Sequence, residues 1–213
     1  MTALQLHGTP LSHFTRMLRI LLAELGVAFD FVRLPGVLAT GASAYADNPM
    51  QRVPIMIHGA VTMFEAEHIA RYCVTRFDTR DWFSVRSEEV DDLNRMAVIR
   101  GIMANEVVLI LAKRGGLADT ENVVYFQKLV GAIEGSLAWL DERTQADTGG
   151  FDWRDIALVS MWQHINHYVL LPNLDRYANI AARVARFSTR PAVASTTPAA
   201  SLAEAQAAGW KAG

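Results

Sequence analysis

A proline at position 54 restricts the possible folds of this chain more than any other single residue. It opens the short apolar run Pro54-Ile55-Met56-Ile57, and because proline has no N–H to give to a sheet, it belongs at the first position of a strand. The preceding bond is a tertiary amide, whose cis form costs only about 0.5–1 kcal/mol. A cis bond would turn the Val53 N–H and C=O outward, so the stretch predicts a strand that starts beside a surface able to pair with an extended peptide.

The strand that begins at Pro54 is followed by a turn, a second strand and the start of a helix. Residues 59–60 separate the first strand from the run Val61–Phe64, as is typical of a hairpin. Glu65 and Ala66 then stand where the helix begins, and the first N–H groups of a helix have no partner within it. We therefore expect a second backbone group, able to bind a carboxylate, close in sequence to the first.

The first 35 residues have the pattern of a strand, a helix and a second strand. Residues 3–7 alternate apolar and polar side chains, and residues 29–34 form the next strand. Between them, Ser12 can cap a helix that Gly26 ends. Because strands joined by a helix run parallel, the first 78 residues predict the order βαβ(α)ββα, an α/β unit with two parallel and two antiparallel strands.

Beyond residue 78 the sequence changes character and predicts only helices. Residues 79–86 are charged and carry aromatic side chains, as in an interdomain linker. Everything from residue 87 onward has apolar residues at helical spacing or turn residues between such stretches. The expected domains are therefore an α/β domain over residues 1–78 and an all-α domain over residues 87–213.

The predicted helical domain contains two long helices, a buried one and two short ones. The long helices cover residues 87–113 and 120–142. Asp152, with Asp155 three residues later, predicts the capped start of a helix that is apolar on nearly all sides and therefore lies at the centre of the bundle. Two shorter helices follow, at 180–187 and from 192, and the alanine-rich stretch from residue 201 is expected to fray.

Charge and composition exclude several classes of function. The chain has 213 residues, half of them hydrophobic, and a net charge of −2 with acids and bases interspersed, whereas a nucleic-acid surface needs a basic stripe. The N-terminus has no signal-peptide pattern, and no apolar stretch approaches the ~20 residues of a membrane span. With one cysteine, Cys73, the chain suits a reducing compartment. We therefore expect a soluble cytoplasmic protein that binds neither nucleic acid nor membrane.

Cysteine and histidine side chains often take part in catalysis or metal binding, but here both are interpreted as structural residues. Cys73 falls on the inner face of the helix that follows Ala66, where it is a core residue. His164 and His167 are three residues apart on the buried helix, but no acid or thiol stands near them in sequence. Polar core packing is therefore favoured over a metal site, and we expect no metal.

Six short motifs together resemble the cytosolic glutathione transferases, over nearly the whole chain. The first strand and turn of the family resemble His7-Gly8-Thr9-Pro10-Leu11-Ser12, and its first helix resembles residues 16–26. Its glutathione-binding loop is similar to Asn48-Pro49 with Val53-Pro54, and the start of its third helix is similar to Phe64-Glu65-Ala66. The capping box of its buried helix resembles Asp152-x-x-Asp155-Ile156, and its late signature resembles Arg190-Pro191-Ala192. The resemblance is to serine-type, bacterial-like members of the family, and it assigns no class.

The resemblance implies a fold, a ligand and an activity. The fold is a thioredoxin-like α/β domain followed by a helical bundle, and the protein is a homodimer with a detoxification role. Glutathione is the co-substrate, and its thiolate attacks a small hydrophobic electrophile. The resemblance assigns catalysis to Ser12 and glutathione binding to Arg52, Val53, Pro54, Glu65 and Ala66.

A serine at a helix start can supply the required chemistry. A free thiol has a pKa near 8.5, and lowering it by about two units takes roughly 2.7 kcal/mol of preferential stabilisation of the anion. The Ser12 hydroxyl can donate to the sulfur, helped by the helix dipole. The alternatives are that Ser12 is a plain cap and that Thr9 or backbone groups stabilise the thiolate.

Three departures from the family pattern support rival functions. Ala66 stands where the family has a serine that binds the γ-glutamyl carboxylate, Gln51 replaces a common glycine, and residues 37–44 carry no basic side chain. Loss of one charge-assisted hydrogen bond weakens binding by about 1.5–3 kcal/mol. The alternatives are a glutathione-transferase-like binding or interaction protein with weak glutathione affinity, and a glutathione-dependent peroxidase or isomerase.

Overall fold

The computed structural model describes residues 3–117, 122–144 and 149–210, and its strands follow one another along the chain as predicted. The strands are β1 (Leu4–Gly8), β2 (Asp30–Arg33), β3 (Ile55–His58) and β4 (Val61–Phe64). They lie side by side in the order β2-β1-β3-β4. β1 runs parallel to β2 and antiparallel to β3, which in turn is antiparallel to β4. The predicted mixture of parallel and antiparallel pairs is confirmed.

Eight α-helices are present in the described part of the chain. They are α1 (His13–Glu24), α2 (Ala66–Phe77), α3 (Val90–Arg114), α4 (Val124–Thr144), α5 (Trp153–Tyr168), α6 (Ala178–Ser188), α7 (Pro191–Ala194) and α8 (Pro198–Ala207). The predicted helices agree with these to within a few residues, except that the single helix predicted from residue 192 is two helices, α7 and α8. Positions 120 and 121 of another predicted helix lie outside the described residues. The prediction that the stretch from 201 frays is wrong for residues 201–207, because they belong to α8; residues 211–213 lie outside the described residues.

None of the described helices combines the length and the apolar character that crossing a membrane requires.

Contacts divide the described residues into two compact units. One consists of the residues through Arg86 together with those from Arg190 onward, and the other is Ser87–Thr189. The first unit therefore contains the sheet, α1 and α2, and also α7 and α8 from much later in the sequence. The ranges 1–78 and 87–213 remain a prediction about domains.

The core of the first unit forms because apolar residues of two helices pack together and cover the sheet. Leu6 and Met56 are fully buried on the neighbouring strands β1 and β3, and Ile69 of α2 is equally buried. On α1, the helix-spaced leucines at 18, 21 and 22 are completely buried, as the stripe in the sequence predicts. Ser12 caps α1, its Oγ accepting the Thr15 N–H at 3.1 Å.

The second unit is organised around α5, whose start has the predicted capping arrangement. The Asp152 side chain accepts the N–H groups of residues 154 and 155, and the Asp155 carboxylate accepts the Asp152 N–H. Residues on all sides of α5 are buried, which confirms that it is the buried helix of the bundle. Arg183 of α6 makes two hydrogen bonds to Asp155, of 2.7 and 2.8 Å, so the helix start is also tied to a neighbouring helix.

Candidate functional site

Strand register brings three separate segments to one end of the sheet. His7 near the end of β1 lies opposite Ile55 at the start of β3, and Ile55 lies opposite Phe64 at the end of β4. The chain therefore leaves β1, enters β3 and leaves β4 at the same edge. From this register we infer that the predicted site residues, which flank these strand ends, are grouped at that edge: Ser12, Arg52, Val53, Pro54, Glu65 and Ala66.

Ser12 combines a capping acceptor with a hydroxyl hydrogen that is available to a ligand. Its N–H donates to the Thr9 carbonyl at 3.2 Å, and its Oγ accepts the Thr15 N–H. Within the described part of the chain, the Ser12 hydroxyl donates to no acceptor. The side chain is half-buried and stands at the N-terminal, partially positive end of α1. It can therefore donate a hydrogen bond to an anion without ceasing to cap the helix.

Val53 presents a backbone N–H and C=O with no partner in residues 3–117, 122–144 and 149–210. The residue is half-buried, and the bond to Pro54 is cis. Asn48 holds the preceding chain: its side-chain amide donates to the Arg52 carbonyl at 2.8 Å, and its Oδ1 accepts the Met50 N–H at 3.0 Å. The Arg52 side chain is exposed. An extended peptide can thus pair with Val53 on a backbone that is already fixed.

Glu65 and Ala66 form the start of α2 with an unusual backbone. Glu65 has φ +70°, a left-handed conformation that few residues other than glycine adopt and that recurs at ligand sites. The Glu65 side chain does not cap the helix, so ordinary capping does not explain this residue. The Ala66 N–H has no hydrogen bond to the described residues, and it can bind an anionic group.

The loop between β2 and β3 contains residues that sequence reasoning did not assign to the site. The Tyr45 hydroxyl donates to the carbonyls of Ala39, at 3.0 Å, and Gly36, at 3.3 Å. The Gln51 side-chain oxygen accepts the Gly41 N–H at 3.0 Å. These bonds are internal to the loop and hold its shape. A short 3₁₀ turn ends at Tyr45, and the sequence contains no signal of the bonds that this tyrosine makes.

The histidine on the buried helix has an acidic partner that the sequence did not reveal. His164 Nδ1 lies 2.5 Å from the Glu106 carboxylate of α3, and burial raises the pKa of Glu106 well above its usual value. Polar packing was favoured over a metal site for this histidine, and that choice stays a prediction. The acid was missed because it stands 58 positions earlier in the sequence.

Comparison with known protein families finds a match in the N-terminal part of the chain. The family model for the glutathione S-transferase N-terminal domain matches residues 6–81. This range contains β2, β3, β4, α1, α2 and all of β1 except its first two residues, together with the segments that carry the predicted site residues. Among curated proteins, none matches the chain.

Solved structures share the fold over nearly the full length of the chain. A glutathione S-transferase from Methylobacterium radiotolerans, in complex with glutathione sulfonate, has a TM-score of 0.78 at 22% identity, covering 92% of this chain and 95% of that one. One from Methylobacillus flagellatus with glutathione bound has a TM-score of 0.77 at 20% identity, covering 92% and 100%. A family member from Pseudomonas fluorescens Pf-5 with bound glutathione has a TM-score of 0.75 at 24% identity, covering 92% and 99%. The chain therefore has the glutathione transferase fold, as predicted.

Proposed function

Because residues 6–81 match the family model for the glutathione S-transferase N-terminal domain, we propose that this chain is a glutathione transferase in which Ser12 holds the glutathione sulfur as a thiolate. The thiol proton leaves to water. The sulfur then forms a bond to an electrophilic carbon of a small hydrophobic substrate, whose leaving group departs with the bonding electron pair. The Ser12 hydroxyl donates a hydrogen bond to the sulfur anion and is not consumed. The reaction needs no metal.

The proposal is carried by polar groups of complementary kinds that have no partner among the described residues and that flank strand ends lying together in the register. Ser12 offers a hydroxyl donor, Val53 offers one backbone donor and one acceptor, and Ala66 offers a helix-start N–H. A tripeptide with a carboxylate, peptide groups and a thiol needs this combination of partners. Backbone groups that are buried or half-buried are usually hydrogen-bonded within a protein. The fold alone therefore does not explain why these groups lack partners among the described residues.

Each part of glutathione is assigned a partner at this edge. The backbone of its central cysteine pairs with Val53 in the manner of a strand, beside Pro54, and the thiol then faces Ser12. The γ-glutamyl carboxylate accepts from the Ala66 N–H, and its amino group faces the Glu65 carboxylate. The glycyl carboxylate is bound by the exposed Arg52 side chain. The relatives from Methylobacillus flagellatus and Pseudomonas fluorescens, which were solved with glutathione bound, support the choice of ligand.

We also propose that the protein is a cytoplasmic homodimer with a detoxification role. The single buried cysteine suits a reducing compartment. Exposed apolar side chains at the start of α3, Val90 and Leu93, are 71% and 47% accessible. Side chains of this kind on one helix turn are suited to an interface between two copies.

Titration calorimetry with glutathione tests the proposal most directly. We expect saturable binding at micromolar to millimolar ligand. Incubation with glutathione and a panel of small hydrophobic electrophiles should give products whose mass equals that of the conjugate. Binding without any conjugate across a broad panel would remove the transferase activity and leave a glutathione-binding protein. The absence of binding heat at millimolar glutathione would remove both.

A second candidate function, a binding or interaction protein with weak affinity for glutathione, is favoured by one observation. Ala66 has no hydroxyl at the position where the resemblance expects one, and residues 37–44 contribute no cation. The variant Ala66→Ser tests whether the missing hydroxyl limits affinity. A restored charge-assisted hydrogen bond should tighten glutathione binding by about tenfold or more. Unchanged affinity would mean that the γ-glutamyl carboxylate does not bind at the start of α2.

A glutathione-dependent peroxidase or isomerase is an alternative use of the same thiolate. Product analysis with a hydroperoxide and with an isomerisable substrate distinguishes these activities from conjugation, because oxidised glutathione or unchanged glutathione would accumulate in place of a conjugate.

A further inference from the structure

A segment from late in the sequence, residues 198–210, belongs to the same compact unit as the sheet. We refer to it as the latch. It consists of α8 and the turn that follows. Thr197 caps α8 by accepting the Ala200 N–H at 3.2 Å, and proline occupies the first helical position, which suits it there. The latch is therefore a well-formed helix in its own right.

Two arginines, one on α1 and one on β2, pair with a single acidic side chain of the latch. The Glu204 carboxylate pairs with Arg19 of α1, at 3.0 Å, and with Arg33 of β2. Both guanidinium groups lie over the ring of Phe31, at 4.6 and 5.4 Å from its centroid, which favours cations in these positions. Arg19 also donates to the Ser201 hydroxyl at 3.0 Å. The latch is thus fixed to α1 and to β2 together.

At the end of the latch, the Trp210 indole donates a hydrogen bond to a backbone carbonyl. Trp210 Nε1 donates to the Leu34 carbonyl at 2.9 Å. The direction of Trp210 is set by Gly209, which has φ +78°. The Trp210 N–H bonds the Ala205 carbonyl and the Gly209 N–H bonds the Gln206 carbonyl, the two bonds of a Schellman turn. The turn requires the left-handed conformation at Gly209 that glycine adopts without strain.

Leu34 is connected both to the turn at residues 9–12 and to the loop of residues 35–53, the two segments proposed to face the ligand. Its N–H donates to the Gly8 carbonyl at 2.9 Å, directly before the turn at residues 9–12 that ends in the α1 cap. Its carbonyl leads into the loop of residues 35–53 that ends at Val53. Its side chain is buried in a cluster with Tyr45 and Ile55. A displacement of the Leu34 peptide would therefore be passed to the loop on one side and to the turn on the other.

We propose that the latch fixes the position of loop 35–53 through the Trp210–Leu34 hydrogen bond, and that Trp210 is a positioning residue for glutathione binding. The second half of this statement rests on the proposed function, and the first half does not. The physical reason is preorganisation: a loop held in its binding conformation before the ligand arrives does not lose further conformational freedom on binding. Trp210 acts through Leu34 and the loop, without contact to the ligand.

The variant Trp210→Phe removes the indole N–H and keeps most of the ring. Hydrogen–deuterium exchange followed by mass spectrometry should show faster exchange in peptides covering residues 35–53, by several-fold. Trp139→Phe is the matched control, because this half-buried tryptophan lies in the other unit and stacks on Arg143. Exchange in the loop should be unchanged in the control. This readout does not depend on glutathione.

A pair of glycine variants separates positioning from general loss of stability. Gly209→Ala and Gly26→Ala both place a side chain at positive φ, +78° and +66°, where an added Cβ would meet no atom within 4 Å. Both helix ends have the same turn, so backbone strain lowers the thermal midpoint similarly. Only Gly209→Ala should raise the KM for glutathione, by about two- to fivefold with kcat little changed, as expected from loss of about one hydrogen bond. The same split is expected for Trp210→Phe.

The outcomes decide the proposal in each case. Loop exchange equal to wild type in Trp210→Phe overturns it. Equal effects of the two glycine variants on the KM for glutathione overturn the positioning role. If the wild-type protein binds no glutathione, the proposed function fails, and the exchange experiment alone decides whether the latch holds the loop.

Discussion

At the scale of single residues, Ser12 shows how one oxygen serves both the fold and the proposed reaction. Its lone pairs accept the Thr15 N–H, while its hydrogen has no acceptor in the described chain. Replacement by alanine therefore removes two separable contributions. The loss of the cap lowers helix stability by about 1 kcal/mol, and the loss of the donor raises the pKa of the bound thiol.

We predict that Ser12→Ala shifts the pH dependence of kcat/KM upward by about two units, because a thiol without the donor returns toward pKa 8.5. At pH 6.5 the variant should be roughly 50- to 100-fold slower, with most of the activity recovered near pH 9. Asp152→Ala is the control, since it also removes a helix cap and leaves the site untouched. A Ser12→Ala profile that is lower but not shifted would assign the sulfur contact to Thr9 or to backbone groups.

Cys73 illustrates the opposite case, a reactive residue type made inert by its surroundings. Its side chain is fully buried, and burial raises the pKa of the thiol from 9.0 to about 12. The sequence predicted a core position, and the structure confirms it.

We predict that Cys73 lowers stability at alkaline pH. The unfolded thiol ionises at lower pH than the folded one, so the unfolded state binds fewer protons between pH 9 and 12 and unfolding becomes easier as the pH rises. The free energy of unfolding should fall by up to about 1.4 kcal/mol per pH unit above pH 9 relative to a Cys73→Ala variant. Urea unfolding at pH 8, 9, 10 and 10.5 measures this. Parallel curves for the two proteins would show that the thiol does not contribute.

At the scale of elements, the start of α5 combines a cap with a buried ion pair. Asp152 caps the helix, and Asp155 both completes the capping box and binds Arg183, whose side chain is only 4% exposed. Arg183 also donates to the carbonyls of Gly149 and Gly150, which ties the segment before the helix to α6.

The two aspartates should therefore differ in their effect on stability. Asp155→Ala leaves a buried guanidinium without its carboxylate, and we expect a loss of about 3–5 kcal/mol. Asp152→Ala loses a cap, for which about 1 kcal/mol is expected. Chemical denaturation of the two variants measures the difference. Equal losses would mean that Arg183 finds other partners when Asp155 is removed.

The elements also show where sequence reasoning succeeds and where it stops. The strands, the cap at Ser12 and the capping box at Asp152 were predictable because the signals are local. The register brings the ends of β1 and β4 and the start of β3 together, and the roles of the site residues that flank them stay a prediction. The ordering of α8 did not follow, because an alanine-rich stretch has little apolar periodicity of its own. What orders it is Glu204 pairing with Arg19 and Arg33, which are more than 170 positions away.

The left-handed backbone conformation of Glu65 could not be predicted from the sequence either. A non-glycine residue at positive φ gives no local pattern, because its neighbours in space enforce the conformation. The same holds for the partner of His164, since Glu106 is brought to it only by the packing of α3 on α5.

At the scale of the whole molecule, the proposed homodimer gives a measurable mass. One chain has a mass of 23.5 kDa, so light scattering should give about twice that value for a dimer. The variant carrying both Val90→Glu and Leu93→Glu should shift the protein to monomer, because two charges on one apolar helix turn oppose burial. Val169→Glu is the control, since this valine is 80% exposed at the end of α5. A wild-type monomer would contradict the dimer, and an unchanged dimer in the double variant would contradict its placement.

The division of the sheet-bearing unit between two distant stretches of sequence has a consequence for how the protein is made. A ribosome adds roughly 5–20 residues per second, so the segment Ser87–Thr189 takes on the order of five to twenty seconds to synthesise. During that time the nascent sheet has emerged, but Arg19, Arg33 and the Leu34 carbonyl still lack the partners that arrive with residues 198–210. Vectorial synthesis therefore produces the proposed glutathione-binding end of the sheet early and completes its support only after translation has passed Trp210.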